Sequence, residues 1–596
     1  LDGDGRPEIV VYTNLGAVEA WRYDPAAGWS RFWAGHDAAG TPVTFSEGAT
    51  GWGGPSIADL DDDGLPEILS GGLVYDSTGL LVDSSLGLGV LHRVSGFPAA
   101  ADLDADGLVE LAGGAGLWEF DPAAKRWVPE WTGRPNGFTA VADFGTYPAD
   151  MGAWDRGTLD GLAEIAVVAN GQARIDNLAG QAVFGPVSLP SSDGGGPPTI
   201  GDFDGDGRAE LAAAGSDSYT VFDPDCTGTP DASYCPTMRT DGILWTMPSQ
   251  DHSSNITGSS LFDFEGDGSV EAVYADECFV RVYEGSTGRV LYSQWRSSCT
   301  WNENPVVADT DGDFAAELVV PSNESCGTAP DLVNGMGGLP YDTSPSGNPM
   351  DPLFAGLPCK QPQDCLSGVC DAGLCRCSSD AECGSSSDGF VCAPPPAGTP
   401  GNGNTCRAEW RGSMHGVRVY RDALDRWVGS RTIWNQHAYY VTNVNEDGTV
   451  PRTSSALLNW RVQGLNNFRQ NVQGDLHPEY SPDATAGRGR FSADCPGGVL
   501  TLSIRVCNRG TAPVAAGIPV GFFDGDPDAG GQLVCLSSTS GDLQPGQCET
   551  VTCDWQNAPT DAAHDVVVVV DPDGERTECI EGNNRGFIEG ARCRLE

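Results

Sequence analysis

Basic residues are scarce. The 596-residue chain carries 33 Lys and Arg against 83 Asp and Glu, a formal net charge of −50. Such an excess of acid excludes a basic nucleic-acid face and points to cations or to solubility. Long apolar runs are missing too: none reaches the roughly 18 residues that a membrane-spanning helix needs. Histidine is rare, with seven residues at 36, 92, 252, 415, 437, 477 and 564, none at metal-ligand spacing. There is no nucleophile elbow, no HExxH and no phosphate loop, so the reading is a non-enzyme. An initiator Met and a signal peptide are both lacking, which reads as a processed product or a fragment. Cysteine does not occur before residue 226, yet there are twenty in all, a number that argues for an oxidising, extracytoplasmic compartment.

What is plentiful is glycine (80) and proline (41), which suits short strands joined by turns. One acidic motif recurs. It reads "LDGDGRPEI" at Leu1, "DLDDDGLPEI" at Asp59, "DLDADGLVEL" at Asp102, "DFDGDGRAEL" at Asp202, "DFEGDGSVEA" at Asp263 and "DTDGDFAAEL" at Asp309. A broken copy begins with Asp143 and Gly145 and resumes after an insertion with Asp160, Gly161 and Glu164. The copies start 41 to 61 residues apart. A period of that length indicates a propeller or a solenoid. Short β-prone runs such as "PSIADL" and "PEILSGGLVY" flank the motifs, and no 3.6-residue apolar period appears, so four-stranded propeller blades are expected.

Within the motif, carboxylates at positions 1, 3 and 5 precede a glycine at 6, as in the EF-hand loop, where a hard cation takes oxygen ligands. Here the last carboxylate stands at position 9. Carboxylates this close repel one another unless a cation lies between them, so calcium is the expected cofactor. Plain Asp-Gly turns that bind nothing are the alternative.

These residues resemble the FG-GAP or VCBS repeats, the blades of integrin-α-like β-propellers, above all in "GWGGPSIADLDDDGLPEIL" and "GGGPPTIGDFDGDGRAELAAA". The resemblance covers roughly residues 1–325 and, less clearly, 415–470. It implies several calcium ions held by positions 1, 3, 5 and 9 with the position-7 carbonyl. The sets are Asp59, Asp61, Asp63 and Glu67; Asp102, Asp104, Asp106 and Glu110; Asp202, Asp204, Asp206 and Glu210; and Asp263, Glu265, Asp267 and Glu271. Asp309, Asp311, Asp313 and Glu317 also match, with Phe314 in place of the glycine, and the first copy retains Asp2, Asp4 and Glu8.

The expected organisation is an all-β chain. Residues 1–334 hold propeller blades, 335–410 a disulfide-rich insertion, 411–474 the last blade or ring closure, 475–490 a linker and 491–596 a β-sandwich. Seven blades are expected, or eight if "NVNEDGTVP", with Asn443, Asn445 and Asp447, opens another repeat. The insertion has eight cysteines, enough for on the order of a hundred pairings. Their rhythm suggests Cys359–Cys370 with Cys365–Cys375, then Cys377–Cys392 with Cys383–Cys406. The segment is similar to EGF-like cysteine-rich repeats and is expected to be independent of the blades. Zinc is disfavoured, because no tight Cys-x-x-Cys or histidine pair occurs. Cys226–Cys235 and Cys278–Cys299 are expected as local bridges. The propeller has five cysteines and the last region seven, both odd, so one bridge between them or two free thiols should follow.

"RTIWNQHAYYVTNVNEDGTVP", with His437, reads as a buried strand whose polar groups bond the backbone, rather than as a sugar-stacking or catalytic site. The last region resembles the CARDB family of immunoglobulin-like surface domains in "VCNRGTAPV" and "VDPDGERTECIEGNNR". The tryptophans do not recur at one repeat position, which weakens a lectin with equivalent pockets. The function expected is a calcium-stabilised adhesion scaffold, secreted or at a bacterial cell surface, that recognises a cell-surface protein or glycan. A lectin-like propeller or a polysaccharide lyase is the alternative.

Overall fold

The computed structural model describes the chain except for residues 4–5, 14–15, 45–52, 87–95, 147–154, 191–193, 267, 312–314, 324–327, 386, 423–426, 474–481, 493–494, 511–512, 545–546, 561, 573, 575, 577–583 and 594–596. Asp4, Asp267, Asp313 and Phe314 therefore lie outside the described residues. The fold is all-β and is built from many small antiparallel sheets.

Among the described residues, seven of these sheets, all ending before residue 421, form a repeating series. The first comprises Ile9–Tyr12, Val18–Asp24 and Gly28–Ala34. The second to sixth have four strands each and begin at Ser56–Ala58, Ala99–Ala101, Phe138–Ala142, Thr199–Gly201 and Ser259–Phe262. The seventh joins Val306–Ala308 and Glu317–Ser322 to Gly416–Tyr420. From the second sheet to the seventh, these leading strands lie beside one another in succession. Neighbouring sheets bury facing apolar surfaces. Val18, Ala20 and Trp33 of the first meet Ile68 and Tyr75 of the second. Leu69 and Val74 of the second meet Leu111 and Trp118 of the third.

A tryptophan locks alternate sheets. The indole N–H of Trp33 donates to Ser77 O (2.9 Å), that of Trp131 to Leu178 O (2.8 Å) and that of Trp245 to Gly285 O (2.5 Å), each in an outer turn of the next sheet. The rings rest on Gly79, Gly180 and Gly288, where a Cβ would stand within 2.8 Å of the indole. The tryptophans thus do recur in the structure, contrary to the reading of the sequence. Variable hairpin lengths hide the repeat.

The segment 431–473 departs from expectation most. Among the described residues it holds short 3-10 turns (Val441–Asn443, Thr453–Ser455, Asn459–Arg461) and no strand, so it is neither a buried strand nor an eighth repeat. Asn443 is buried and donates to Ala438 O, while Asp447 accepts from Thr449 in an exposed turn. The segment instead runs along the exposed edges of the leading strands. Gln436 exchanges two bonds with Ile57 (3.0 and 3.3 Å), and the Tyr440 hydroxyl donates to Ala100 O. Asn466 exchanges two with Asp143, Phe468 pairs with Ile200, Leu261 N donates to Arg469 O, and Asn471 donates to Val307 O. Six sheet edges that would otherwise present unpaired backbone are satisfied by one strandless segment. His437 stacks on Phe97 at 3.5 Å and bonds Asn302 O, which is the backbone role expected of it, on a loop.

The insertion carries a sheet of Cys370–Asp371, Leu374–Cys377, Asn404–Ala408 and Phe390–Ala393, and its four bridges pair as the cysteine rhythm suggested. Cys226 bonds Cys235. The Cys278–Cys299 bridge does not form: Cys299 is bonded elsewhere and Cys278 is a buried free thiol, packed with insertion residues such as Tyr341. Beyond residue 482, the strands Val499–Asn508 and Cys548–Gln556 belong to one sheet, and Pro519–Asp524 and His564–Val570 to another. Leu502, Ile504, Phe522 and Val568 fill the core between them. Three bridges, Cys495–Cys593, Cys507–Cys548 and Cys535–Cys553, join residues of this region to one another.

Nor is the insertion independent of the sheets. Met336, Tyr341, Phe354 and Phe390 share one apolar cluster with Tyr219, Trp245 and Tyr274 of the fifth and sixth sheets. Trp295 packs on Gly389 of the insertion as Trp33 packs on Gly79. The fully buried Arg281 guanidinium bonds Asp276 (2.5 Å) and, from the insertion, Asp351 (2.7 Å). Asp351→Ala would leave that guanidinium under-compensated, a loss of roughly 3–5 kcal/mol for a broken buried pair. Urea unfolding of the variant should show it, and deletion of 335–405 should prevent stable folding of the fifth and sixth sheets. Wild-type stability in either variant would restore the independent insertion.

Candidate metal centre

From the second sheet on, each unbroken acidic motif forms the same loop between the first two strands of its sheet; one closing bond recurs in all five and a second is described in four. First, the buried position-9 glutamate reaches back to the amide at position 2. Leu60 N donates to Glu67 Oε2 at 2.8 Å, Leu103 N to Glu110 at 2.5 Å, Phe203 N to Glu210 at 2.9 Å, Phe264 N to Glu271 at 3.0 Å and Thr310 N to Glu317 at 2.8 Å. In the first copy the Leu1 nitrogen bonds Glu8 Oε2 at 2.5 Å, while Asp2 lies 3.9 Å from Arg22. Second, the position-6 amide donates to the position-1 aspartate: Gly64 to Asp59, Gly107 to Asp102, Gly207 to Asp202 and Gly268 to Asp263, at 2.8–3.0 Å. These glycines have φ between +86° and +94°, a conformation a Cβ disfavours.

The broken copy is repaired in space. Gly161 N donates to Asp143 Oδ2 (2.7 Å) and Phe144 N to Glu164 Oε2 (2.8 Å), across the insertion. Asp160 takes position 5, where its Oδ1 accepts from Leu162 N as Asp63 Oδ1 accepts from Leu65 N. Only the second carboxylate, at position 3, is missing, with Gly145 in its place.

The loops bring carboxylate oxygens together. One oxygen each from Asp59, Asp61 and Glu67 lies within 4.8 Å of the others, and so do those of Asp102, Asp104 and Glu110. Several of these buried oxygens have no hydrogen-bond partner: Asp59 Oδ1, Asp61 Oδ1, Glu110 Oε1, Asp204 Oδ2 and Asp206 Oδ2. Burial, then repulsion from neighbouring carboxylates, raises Glu67 to about 8, Glu110 to about 9 and Asp204 to about 7. Burial, with the neighbouring aspartates, raises Asp206 to about 6, and burial drives Glu210 well above its ordinary value. An all-oxygen donor set with orphaned lone pairs fits a hard cation such as calcium. Asp309, Asp311, Glu265 and Glu317 take the corresponding places in their loops.

Sequence reading missed the long-range neighbours. Lys125 Nζ bonds Asp61 at 2.7 Å, and Arg421 lies 3.8 Å from Asp311. Asp223, fully buried on the third strand of the fifth sheet, lies beside Glu210 and Asp204. Arg156, from the insertion that splits the Asp143 loop, bonds Asp225 (2.7 Å) and approaches Glu210 (3.5 Å). Arg452 of the central segment donates to the carbonyls of Asp62 and Asp63 (2.6 and 2.8 Å). None of these carries a local motif. The one available signal was the alternation that places Asp223 opposite Glu210.

The raised values fix a pH dependence. In chelator, folded Glu67 and Glu110 keep their protons to about pH 8–9, whereas unfolded glutamates lose them near their ordinary 4.5. The folded state therefore binds more protons across that window, and stability falls as pH rises through it. The urea midpoint in chelator should decline from pH 5 to pH 9, and Glu67→Gln with Glu110→Gln should flatten the slope. A flat wild-type profile would contradict the buried-carboxylate assignment.

With this geometry in hand, known proteins can be compared. The FG-GAP-like repeat family matches residues 1–70. No curated protein matches the chain. A CARDB domain from Pyrococcus furiosus, solved in complex with di-metal ions, is 18% identical over 20% of this chain and 98% of that one, with a TM-score of 0.16. The Vibrio cholerae biofilm matrix protein Bap1 is 15% identical over 79% of this chain and 83% of that one. Its TM-score of 0.50 makes this a likeness of overall fold.

Proposed function

We propose that the chain is a calcium-stabilised, non-catalytic adhesion scaffold of the extracellular matrix or cell surface. Its seven sheets are propeller blades around the segment 431–473, its insertion is an EGF-like module, and its last region is a CARDB-like domain. The observation that carries the reading is the repeated loop, with buried carboxylate oxygens that have no hydrogen-bond partner at Asp59, Asp61, Glu110, Asp204 and Asp206. Bound calcium supplies positive charge and oxygen coordination there. The protein's own residues set the loop through the position-2 and position-6 bonds, which orient carboxylates before any ion arrives.

The likeness to a biofilm matrix protein, the bridges of an oxidising compartment and the absence among the described residues of a helix long and apolar enough to cross a membrane all favour a secreted role. The partner is a cell-surface protein or a glycan, bound on the face opposite the loops. Thr453, Leu457 and Trp460 of the central segment line a cavity with Asp59 and Asp102 on the loop side.

The loops should not bind equally. Those at Asp102 and Asp263 should be tightest, with that at Asp202, where the extra buried carboxylate of Asp223 offsets Arg156, beside them. The Asp59 loop, shared with Lys125, and the Asp309 loop, beside Arg421, should follow, and the Asp143 loop with its missing second carboxylate should be weakest. Calcium held at about a hundred times the dissociation constant adds about 2.7 kcal/mol per site, so saturation should raise the melting temperature and chelation lower it in stages. Calorimetric titration with anomalous scattering would order the sites. An unchanged melting temperature after confirmed metal removal would sink the structural role, and full occupancy at Asp143 with empty intact loops would sink the ligand assignment.

A further inference from the structure

Lysine is nearly absent from this chain. Of its 33 basic residues two are lysine, Lys125 and Lys360, and the first of these reaches an acidic loop. Lys125 stands in the outer hairpin of the third sheet, between the strands Gly116–Asp121 and Arg126–Thr132. Its ammonium lies 2.7 Å from Asp61 Oδ2 in the loop of the second sheet. The first sheet supplies a comparison, because its outer hairpin "DPAAGW" returns in the third as "DPAAKRW". In both, the aspartate caps the turn: Asp24 Oδ1 accepts from Ala26 N and Ala27 N, and Asp121 Oδ1 from Ala123 N and Ala124 N. Gly28 then takes φ +79°, and Lys125 takes the same left-handed place at φ +49°. A position that suits glycine is thus filled by a side chain the turn disfavours, and that side chain pairs with a carboxylate of another sheet. On the receiving side, Asp59 Oδ1 and Asp61 Oδ1 are buried without a hydrogen-bond partner, and Asp59 as a whole is 2% exposed.

We infer that the Lys125 ammonium is a tethered counter-ion of the Asp59 loop, and that calcium binds this loop by displacing it. The inference rests on the calcium reading of the loops. The two cations exclude each other. Calcium gathers about six to eight oxygens at about 2.3–2.6 Å, so an ion on the second oxygen of Asp61 would stand about 5 Å from an ammonium on the first, where the two charges repel. The ammonium has somewhere to go. The Lys125 side chain is 49% exposed against 9% for Asp61, and a flexible stem lets its head swing into water. The loop keeps its frame meanwhile. Leu60 N still donates to Glu67, Gly64 N to Asp59, and Arg452 to the carbonyls of Asp62 and Asp63, none of which involves the lysine. Affinity at this loop is therefore set by a side chain from the neighbouring sheet as well as by its own ligands. Acylation of Lys125 removes the competing charge and would open the site to calcium.

Amine acylation with acetic anhydride at fixed pH, read by mass spectrometry, tests the exchange, with the exposed Lys360 as internal reference. In chelator, Lys125 should acylate at least about threefold more slowly than Lys360, as its ion pair requires, and saturating calcium should remove the difference. Asp61→Asn should acylate Lys125 at the faster rate in chelator as well. Lys125→Met keeps the stem and removes the charge. It should lower the melting temperature in chelator, and calcium should then raise that temperature by more than it does in wild type. A salt bridge that serves stability alone would instead cost the same in both media. Calcium uptake confirmed by calorimetry, with Lys125 acylation unchanged or an equal loss of melting temperature in both media, would overturn the exchange and leave the calcium reading standing. No calcium uptake by the wild-type chain would overturn both.

Discussion

A buried carboxylate stands at the root of every repeat, and it accepts from the backbone nitrogen at the second position of its motif, seven residues before it in the unbroken copies and twenty before it at Glu164. That bond ties the start of the second strand to the end of the first, so the loop geometry cannot be separated from the burial of the charge. Taking a carboxylate out of water is unfavourable unless something neutralises it. The loop has two routes: a proton, as the upward shifts at Glu67 and Glu110 record, or a cation shared with the aspartates. The first costs the loop its acceptors and the second uses all of them. The same bond that sets each loop therefore ties its geometry to how the buried carboxylate is neutralised.

The second constraint is the leading edge. Each leading strand of the second to seventh sheets stands at the edge of its sheet, and a row of such edges is a template for aggregation. Residues 431–473 meet it without forming a strand, with amide side chains and single backbone contacts placed one per sheet. Gln436, Asn466 and Asn471 offer both donors and acceptors, so they can mimic a peptide group wherever the spacing between sheets forbids a continuous ladder. Because the segment must touch sheets that lie far from it in sequence, the centre completes only when the rest of the array is in place.

This division explains what could be read in advance. The loops were legible because their ligands, turn glycine and closing glutamate lie within nine residues. The insertion's bridges were legible because each cysteine pairs within a short, nearly coreless stretch. The tryptophan locks were not: Trp131 stands 29 residues after Asp102 and Trp245 stands 43 after Asp202, since the outer hairpins differ in length while the spatial position is constant. Cys278 was misread because its neighbourhood is set by an insertion more than fifty residues away. The reading of 431–451 as a strand followed its aromatic content, but Tyr439, Tyr440 and Trp460 are apolar because they fill the centre, and tertiary burial outweighs local propensity.

The scarce bases show where the charge balance is struck. Arg281, Arg296, Arg407, Arg431 and Arg469 are among the most deeply buried side chains of the protein. Each joins segments: Arg281 the sixth sheet to the insertion, Arg407 the insertion's strands to Asp342, Arg431 the turns of the central segment, Arg469 that segment to Pro198. The planar guanidinium suits this work, since it holds several acceptors in fixed directions and stays charged when buried. With so many of its few cations inside, the chain presents an overwhelmingly acidic exterior. Screening confines that field to roughly 8 Å at physiological salt, so it acts on whatever touches the surface rather than at long range. A neutral or cationic partner meets no barrier there. An anionic one must bring cations with it to offset that charge.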